Sequence, residues 1–217
     1  MNPTIITDLR SQLTSTVFNQ GHRRTCLAIA ASQAHQAARG GEPLAPDALW
    51  MTAQSSKSAG PRGLTPAEAA AALAQPGQPL LSAMPLETSA HAVIAWPAGI
   101  ASEPWFSAHM KTDSGTGAIR AALAANQIVI LGIEVTDAFL DLTTSDGVVD
   151  ADPTRQRFYE LHAVICVGSG RSAADEELFL IRNSWGPYWA DGGDGWVTAA
   201  FLDEHCRDVM EVDDVYP

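Results

Sequence analysis

The two halves of the chain are built from different residues, and this division constrains the fold most. The first half is rich in alanine, with apolar residues at helical spacing, whereas the second half carries short β-branched runs flanked by glycines. A helical half followed by a strand half is typical of α+β proteins. We predict one domain of two lobes, helical over about residues 1–112 and antiparallel and β-rich over about 113–217, with a cleft between them.

The local signals predict four helices and four strands. The best-defined helix covers residues 26–39, where Thr25 is the expected N-cap and Gly40 the stop signal. Thr65 and Glu68 form a capping box at the start of another helix. The remaining helices are predicted over residues 46–54, 65–73 and 117–125, and the strands over 128–135, 162–167, 178–182 and 195–198.

Charge and composition exclude several classes of function. The net charge of −12 disfavours binding to nucleic acid, and the chain lacks a basic amphipathic helix for a membrane surface. No uncharged apolar run reaches the ~18 residues of a membrane span. Asp8 comes too early for a signal peptide, so we expect a protein that is cytoplasmic as made, with any export independent of a signal peptide. Three cysteines without CxxC or HxxxH spacing indicate neither a disulfide framework nor a metal site.

Three segments carry residues suited to nucleophilic catalysis. Cys26 lies in the first turn of a predicted helix, where unpaired amides favour a thiolate. His162 opens a buried strand, and Asn183 ends another. Taken singly, each segment also has a purely structural interpretation: a cysteine that begins a helix by chance, a histidine of the core and a turn at the end of a strand. Together they fit a nucleophile, a proton-relay base and a group that orients the base.

At these segments the sequence resembles the papain-like cysteine peptidases, most closely a compact bacterial branch. The shared motifs are Asn-Gln-Gly before Cys26, His-Ala-Val from His162 and Asn-Ser-Trp-Gly from Asn183. The resemblance implies a papain-like two-lobe fold, no cofactor, Cys26 as nucleophile and His162 as general base and acid. It implies that Asn183 orients the imidazole, that Gln20 donates to the oxyanion and that Trp185 covers the Asn183–His162 pair.

The residues just before Cys26 depart from the family pattern. Most secreted members carry a disulfide-bonded cysteine three residues before the nucleophile, and Arg23 stands there in this chain. We expect Arg23 and Arg24 at the rim of the cleft, where they select acidic substrate residues or hold an acidic partner. Two solvated loop arginines are the alternative.

Four further residues are expected to bind substrate. Gly63 offers backbone pairing to an extended peptide, with Gly60 as the other candidate. Leu161, Glu160 and Gly132 are expected around the pocket for the second residue before the scissile bond.

The resemblance implies an endopeptidase that forms a thioester on Cys26 and acts on a protein or peptide. The alternatives are a catalytically idle papain-like binding module and a thiol amidase or acyltransferase for a non-protein substrate. Since 25 residues precede Cys26, we expect no inhibitory propeptide. We predict a bacterial effector or toxin domain. We expect a separate inhibitor or immunity protein to control its activity.

The histidines and the charge of the site give the last expectations. His91, in a second His-Ala-Val tripeptide, is set aside because no glycine-ended strand follows it. His22 and His35 are interpreted as a loop residue and a helix-face residue. Cys26 and His162 are expected to titrate as a thiolate–imidazolium pair, with the thiolate present below the ~8.5 of a free cysteine.

Overall fold

The structure, a computed structural model, describes residues 3–55, 62–89, 93–142, 147–151 and 160–216. Its helices are α1 Cys26–Arg39, α2 Pro46–Ser55, α3 Pro66–Ala74, α4 Gly115–Ala124, α5 Asp137–Leu140 and α6 Ala199–His205. Its strands are β1 Thr4–Asp8, β2 Gln78–Pro79, β3 Trp105–Asp113, β4 Val129–Glu134, β5 Val148–Val149, β6 Leu161–Arg171, β7 Glu177–Arg182, β8 Asp194–Thr198 and β9 Cys206–Tyr216. None of the helices in these ranges is long and apolar enough to cross a bilayer.

Helix α1 has the predicted bounds and forms the centre of the molecule. Its residues from Leu27 to Gln36 are all buried, as expected for a helix that is enclosed on every side. Several of its buried polar groups are paired: the Ser32 hydroxyl donates to the Ala28 carbonyl, and His35 Nδ1 lies 3.2 Å from Gln78 Oε1. Gln33 Nε2 and His35 Nε2 have no partner among the described residues.

The two ends of α1 differ in how they are capped. At the C-terminus Gly40 adopts φ +75° and donates its amide to the Gln36 carbonyl, as the sequence predicts. At the N-terminus Thr25 occupies the cap position, but its side chain makes no capping bond. The expected N-cap bond is therefore absent, because the buried Thr25 hydroxyl has no partner among the described residues.

Helix α3 begins with the predicted capping box. The Glu68 amide donates to the Thr65 hydroxyl, and the Thr65 amide donates to the Glu68 carboxylate at 2.8 Å. Pro66 takes the first helical position, where a missing amide hydrogen costs nothing.

The strands join in one sheet with the order β2-β3-β9-β4-β6-β7-β8-β5, and β1 pairs beside β6. The described pairs are antiparallel except β5–β8. This agrees with the predicted α+β class and confirms the four predicted strands as β4, β6, β7 and β8. The sheet also includes β1, β2 and most of β3, which come from the first half of the chain; the division into lobes near residue 112 stays a prediction.

The last strand is the largest element that the sequence pattern missed. Acidic residues interrupt the apolar positions of β9, yet Val209, Met210 and Val212 are buried. Glu211 is tolerated there because Lys111 on the neighbouring β3 pairs with it at 3.2 Å. Helix α1 packs against β6 and β9, so the helical lobe meets the sheet where β6 begins.

Candidate active site

Cys26 is the first residue of α1 and lies half-buried at the junction of the lobes. The backbone amides of Ala163 and of Leu27 in the first helical turn lie near enough to the thiol to lower its pKa, and Cys26 lines the same cavity as His162. Ala163 directly follows His162 on β6. The thiol therefore lies beside the residue that the sequence predicts as its base.

His162 is 4% exposed and is held by Asn183. Its Nε2 donates to Asn183 Oδ1 at 2.7 Å, and the same oxygen accepts the Ser184 amide at 2.7 Å. With the hydrogen on Nε2, a neutral imidazole leaves Nδ1 free to accept a proton. Sheet register brings the pair together, because β7 ends opposite Ile165 of β6 and delivers Asn183 to the start of that strand.

Aromatic rings enclose the His162–Asn183 pair. The Trp185 ring lies 4.7 Å from the imidazole, and Phe139 packs edge-on against Trp185 at 5.5 Å. Trp189 extends the cluster, with its ring 5.1 Å from Phe139. Sequence reasoning missed Phe139. The signal that could have found it is Thr136, the N-cap residue of the short α5. Its hydroxyl accepts the Phe139 amide, and Phe139 is the buried residue of that helix.

Gln20 is buried and fixed through both ends of its side-chain amide. Its Oε1 accepts the Ser184 hydroxyl at 2.6 Å, and its Nε2 donates to the Arg23 carbonyl at 2.7 Å. Its backbone amide also donates to the Ser184 carbonyl at 2.8 Å. Ser184 thus couples the Gln20 loop to the residue next to Asn183, a connection that sequence reasoning did not find.

Burial opposes a lone charge on either reacting group. It raises the pKa of the Cys26 thiol, although the Ala163 amide acts in the opposite direction. Burial likewise lowers the pKa of His162 to about 4, against the bond to Asn183. A proton that moves from the thiol to the imidazole creates both charges at once and lets each stabilise the other. The expected ion pair stays a prediction.

The cleft at this junction is a cavity of about 300 Å³. It is lined by Gln20, Gly21, His22, Arg23, Arg24, Cys26, Gly63, Glu160, Leu161, His162 and Trp185. Asn183 lies behind the imidazole rather than in the wall. The Leu161 side chain is 58% exposed in the wall, and Glu160 is near enough to Cys26 to raise its pKa.

Gly132 is not part of the lining of this cavity. It pairs with Ala163 and Asp208 in the sheet, and a Cβ at this position would lie 3.1 Å from Asp208 Oδ2. The space that the sequence reasoning left open beside Gly132 is filled by the Asp208 side chain. The proposed opening of a substrate pocket by Gly132 is therefore corrected.

The two arginines differ from each other. Arg24 is exposed at the cleft, as expected. The Arg23 guanidinium instead forms a two-bond ion pair with Asp47, at 2.6 and 3.1 Å. Arg23 lies at the cleft as expected, but its guanidinium is buried against Asp47, so the expectation that it pairs with a substrate or partner is corrected.

The other predicted histidines lie as follows. His22 is an exposed loop residue at the cleft, as interpreted. His35 lies on α1, as interpreted, but it is fully buried, and burial lowers its pKa to about 4. His91 lies outside the described residues, as does Gly60.

On β3 and β9, ligand atoms of His109, Asp213 and Asp214 lie within 4.8 Å of one another, a grouping that the sequence spacing does not reveal. His109 Nδ1 is 3.1 Å from Asp213, and Lys111 is 3.7 Å from the same carboxylate. A cross-strand hydrogen bond from His109 and an ion pair from Lys111 thus account for the position of Asp213 in this cluster.

A helical lobe and a sheet lobe that meet at this thiol, imidazole and amide define the papain-like class. The chain belongs to the papain family: residues 102–213, about half of its length, match the family described as Papain family cysteine protease. A segment of 56 residues is 39% identical to the probable cysteine protease RDL3 of Arabidopsis thaliana. That segment is 26% of this chain, and the match spans only 15% of that protein's length.

Solved structures share the fold over nearly the whole chain. Xylellain, a cysteine protease from Xylella fastidiosa, superposes with a TM-score of 0.77 at 16% identity, over 100% of this chain and 91% of that one. The clostridial cysteine protease Cwp84 gives 0.77 at 17% identity, over 98% and 58%. Bromelain from Ananas comosus, in complex with the E64 inhibitor, gives 0.74 at 17% identity, over 98% and 99%.

Proposed function

We propose that this chain is a cysteine endopeptidase that cleaves peptide bonds through a thioester on Cys26. The observation that carries the proposal is that Cys26 and His162 line one cavity. Behind the imidazole, Asn183 accepts its Nε2 hydrogen at 2.7 Å and so orients it. A thiol beside an oriented imidazole is the minimum apparatus for nucleophilic acyl transfer.

The chemistry follows from the positions of these groups. His162 takes the proton of the thiol, and the sulfur attacks the carbonyl carbon to form a C–S bond. The C–N bond then breaks while His162 gives the proton to the leaving amine. In the second half His162 removes a proton from water, the hydroxide attacks the thioester, and the C–S bond breaks to return the thiol and release the acid.

Gln20 supports the charged intermediate. A side-chain amide has two hydrogens, and the Arg23 carbonyl takes one of them from Gln20 Nε2; the second is proposed to donate to the oxyanion. The backbone amide of Cys26, at the N-terminus of α1, is the second donor. Fixed donors of this kind act strongly because they need no rearrangement during the reaction.

The walls of the cleft suggest how a peptide binds. Gly63 lines the cavity and is proposed to pair through its backbone with an extended substrate. Leu161 offers an apolar surface, whereas Glu160 and Arg24 add opposite charges to the rim. A peptide with an apolar residue flanked by charged residues is complementary to this wall.

A digestion experiment tests the proposal. The full chain is incubated with a mixed peptide library, and new termini are identified by mass spectrometry. Wild type and the control Cys206→Ser, which changes a thiol that the mechanism does not use, are expected to cleave the same bonds, and Cys26→Ala none. Cleavage by Cys26→Ala would contradict the proposal.

The same reagents distinguish the two alternatives. Hydrolysis of small amides without any peptide cleavage would favour the amidase or acyltransferase. A Cys26 thiol that neither cleaves nor reacts with alkylating agents faster than a free cysteine would favour the idle binding module.

We further propose that the enzyme belongs to a compact bacterial branch and acts as an effector or toxin on a specific protein. While it is in the cytoplasm, we propose that a separate immunity protein binds and inhibits it. The higher TM-scores of the two bacterial proteases support the branch, and the exposed Arg24 offers the inhibitor a guanidinium for a carboxylate. Expression of wild type and Cys26→Ala in a bacterial cytoplasm tests the role. Equal growth of the two strains would remove the need for an inhibitor.

A further inference from the structure

The Arg23–Asp47 ion pair is almost completely removed from solvent. The side chains are 8% and 1% exposed, and two bonds join the guanidinium to both oxygens of the carboxylate, at 2.6 and 3.1 Å. The two-bond pair Arg182–Asp194 is also largely buried, at 11% and 8% exposed, whereas Arg120–Glu177 has the same kind of geometry at 48% and 27% exposed. A buried pair of charges is costly to separate, because either partner alone is a desolvated ion.

The surroundings of the pair use its remaining hydrogen-bonding groups. Arg23 Nη1 also donates to the Glu87 carbonyl, and the Glu87 amide donates to Asp47 Oδ2 at 2.8 Å. The guanidinium lies over the Trp50 ring, 5.5 Å from its centre. Arg23 therefore ties its loop both to α2 and to the segment around Glu87.

The backbone of the same loop carries the oxyanion residue. The Arg23 carbonyl accepts Gln20 Nε2 at 2.7 Å, and the Arg23 amide donates to the Gln20 carbonyl at 3.2 Å. Gly21 allows this tight turn to approach the segment around Glu87: it adopts φ +57°, and a Cβ there would lie 2.6 Å from the Thr88 carbonyl oxygen. The position of the Gln20 amide thus depends directly on the position of the Arg23 backbone.

We propose that Arg23 is a positioning residue, and that its buried ion pair with Asp47 sets the Gln20 amide in the geometry that catalysis needs. The inference rests on the proposed function, since the amide matters only if an oxyanion forms. The link is ionic rather than covalent, so the thiol reductants that keep Cys26 reduced leave it intact.

A double-mutant cycle measures the coupling. Turnover is compared for wild type, Arg23→Met, Gln20→Ala and the double variant, with Arg120→Met as the matched control. Arg23→Met is expected to lower kcat about tenfold, less than the roughly 10²–10³ lost with one whole oxyanion donor because the amide is displaced and not removed. It is expected to change KM by less than a factor of about three. In the Gln20→Ala background the same substitution should change kcat by less than a factor of about two. Equal losses of kcat in both backgrounds would overturn the inference.

Hydrogen exchange of the backbone amides supplies a readout that does not need activity. Arg23→Met is expected to speed exchange in residues 19–25, whereas Arg120→Met should not. Arg23→Lys, which keeps the charge but loses the planar two-bond fork, serves if Arg23→Met does not fold and is expected to lie between wild type and Arg23→Met. Unchanged exchange of residues 19–25 in Arg23→Met would overturn the inference, even if the wild type cleaves no peptide. If the wild type is inactive but Arg23→Met exchanges faster there, only the proposed function is contradicted.

Discussion

The two halves of the site are held in place by different means. In the sheet lobe, His162 and Asn183 are joined by a neutral hydrogen bond between neighbouring strands, under the ring of Trp185. In the helical lobe, Gln20 lies in a loop that one backbone bond joins to Ser184, and we propose that the loop's position depends mainly on side-chain contacts such as the ion pair of Arg23. Strand register is set by many backbone bonds, whereas one substitution can release the loop. The base should therefore be the robust half of the site and the oxyanion donor the sensitive one.

Loss of the base should have the largest effect on turnover. His162→Ala removes the group that accepts and returns the proton, and kcat is expected to fall by about 10⁴. Asn183→Ala leaves the imidazole in its strand but unoriented, and a smaller loss on the order of 10² is expected from the same range. Steady-state kinetics on a cleaved peptide measure both values. A loss in Asn183→Ala equal to that in His162→Ala would show that strand register does not hold the base.

Loss of the oxyanion donor should come next. Gln20→Ala is expected to lower kcat by roughly 10²–10³ with little change in KM, since the donated bond strengthens only as the oxyanion forms. Peptide cleavage by the purified variant measures both constants. A variant with wild-type kcat would mean that the loop does not present its amide to the substrate.

Lowering the pH should reduce the free energy of unfolding through one buried histidine in each lobe. This is the smallest of the effects that we predict. Burial lowers the pKa of His35 to about 4, and it does the same for His162 where no thiolate stands beside the imidazole, as in Cys26→Ala; both compare with ~6.5 when unfolded. The unfolded chain therefore binds more protons between these values, and stability that is complete above pH ~6.5 is lost as the pH falls toward 4. Each histidine is expected to cost roughly 2 kcal/mol of unfolding free energy between pH 7.5 and pH 5.

Urea unfolding in the Cys26→Ala background, which prevents self-digestion, measures this loss. His35→Gln should remove about half of the pH dependence and leave the part that comes from His162. If His35→Gln kept the full dependence on pH, the acid sensitivity would have to arise from other groups.

Local signals predicted the elements that are locally encoded. Helix α1 combines alanine, a clear glycine stop and an apolar face, so its bounds are predicted correctly. Strand β9 is not evident from its sequence because acidic residues interrupt its apolar pattern. The ion pair that allows Glu211 to be buried there is made with Lys111 on β3, a distant part of the chain. Strand β1 was missed for a related reason: its pairing with β6 joins residues far apart in the sequence.

Sequence-based prediction of the site has the same limit: it found residues marked by local motifs but not contacts between distant residues. Spacing and motif placed Cys26, Gln20 and His162 at one cavity, because those residues lie at the ends of predictable elements. The partner of Arg23 was not predictable, since Asp47 lies in the first turn of α2, a common place for an acidic residue at any helix. Only the folded chain shows that a long basic side chain turns away from the cleft to meet it.

The central claim is that the imidazole of the sheet lobe activates the thiol of the helical lobe. The most direct test is the rate of iodoacetamide labelling of Cys26 against pH, in wild type and in His162→Ala, with each cysteine quantified by mass spectrometry. Cys166 and Cys206 are internal references, because burial raises their pKa values to about 12 and about 11. We predict that wild-type Cys26 is labelled rapidly from below pH 7, and that in His162→Ala its labelling rises only above the ~8.5 of a free cysteine. Identical profiles in the two proteins, both rising only at alkaline pH, would contradict the account.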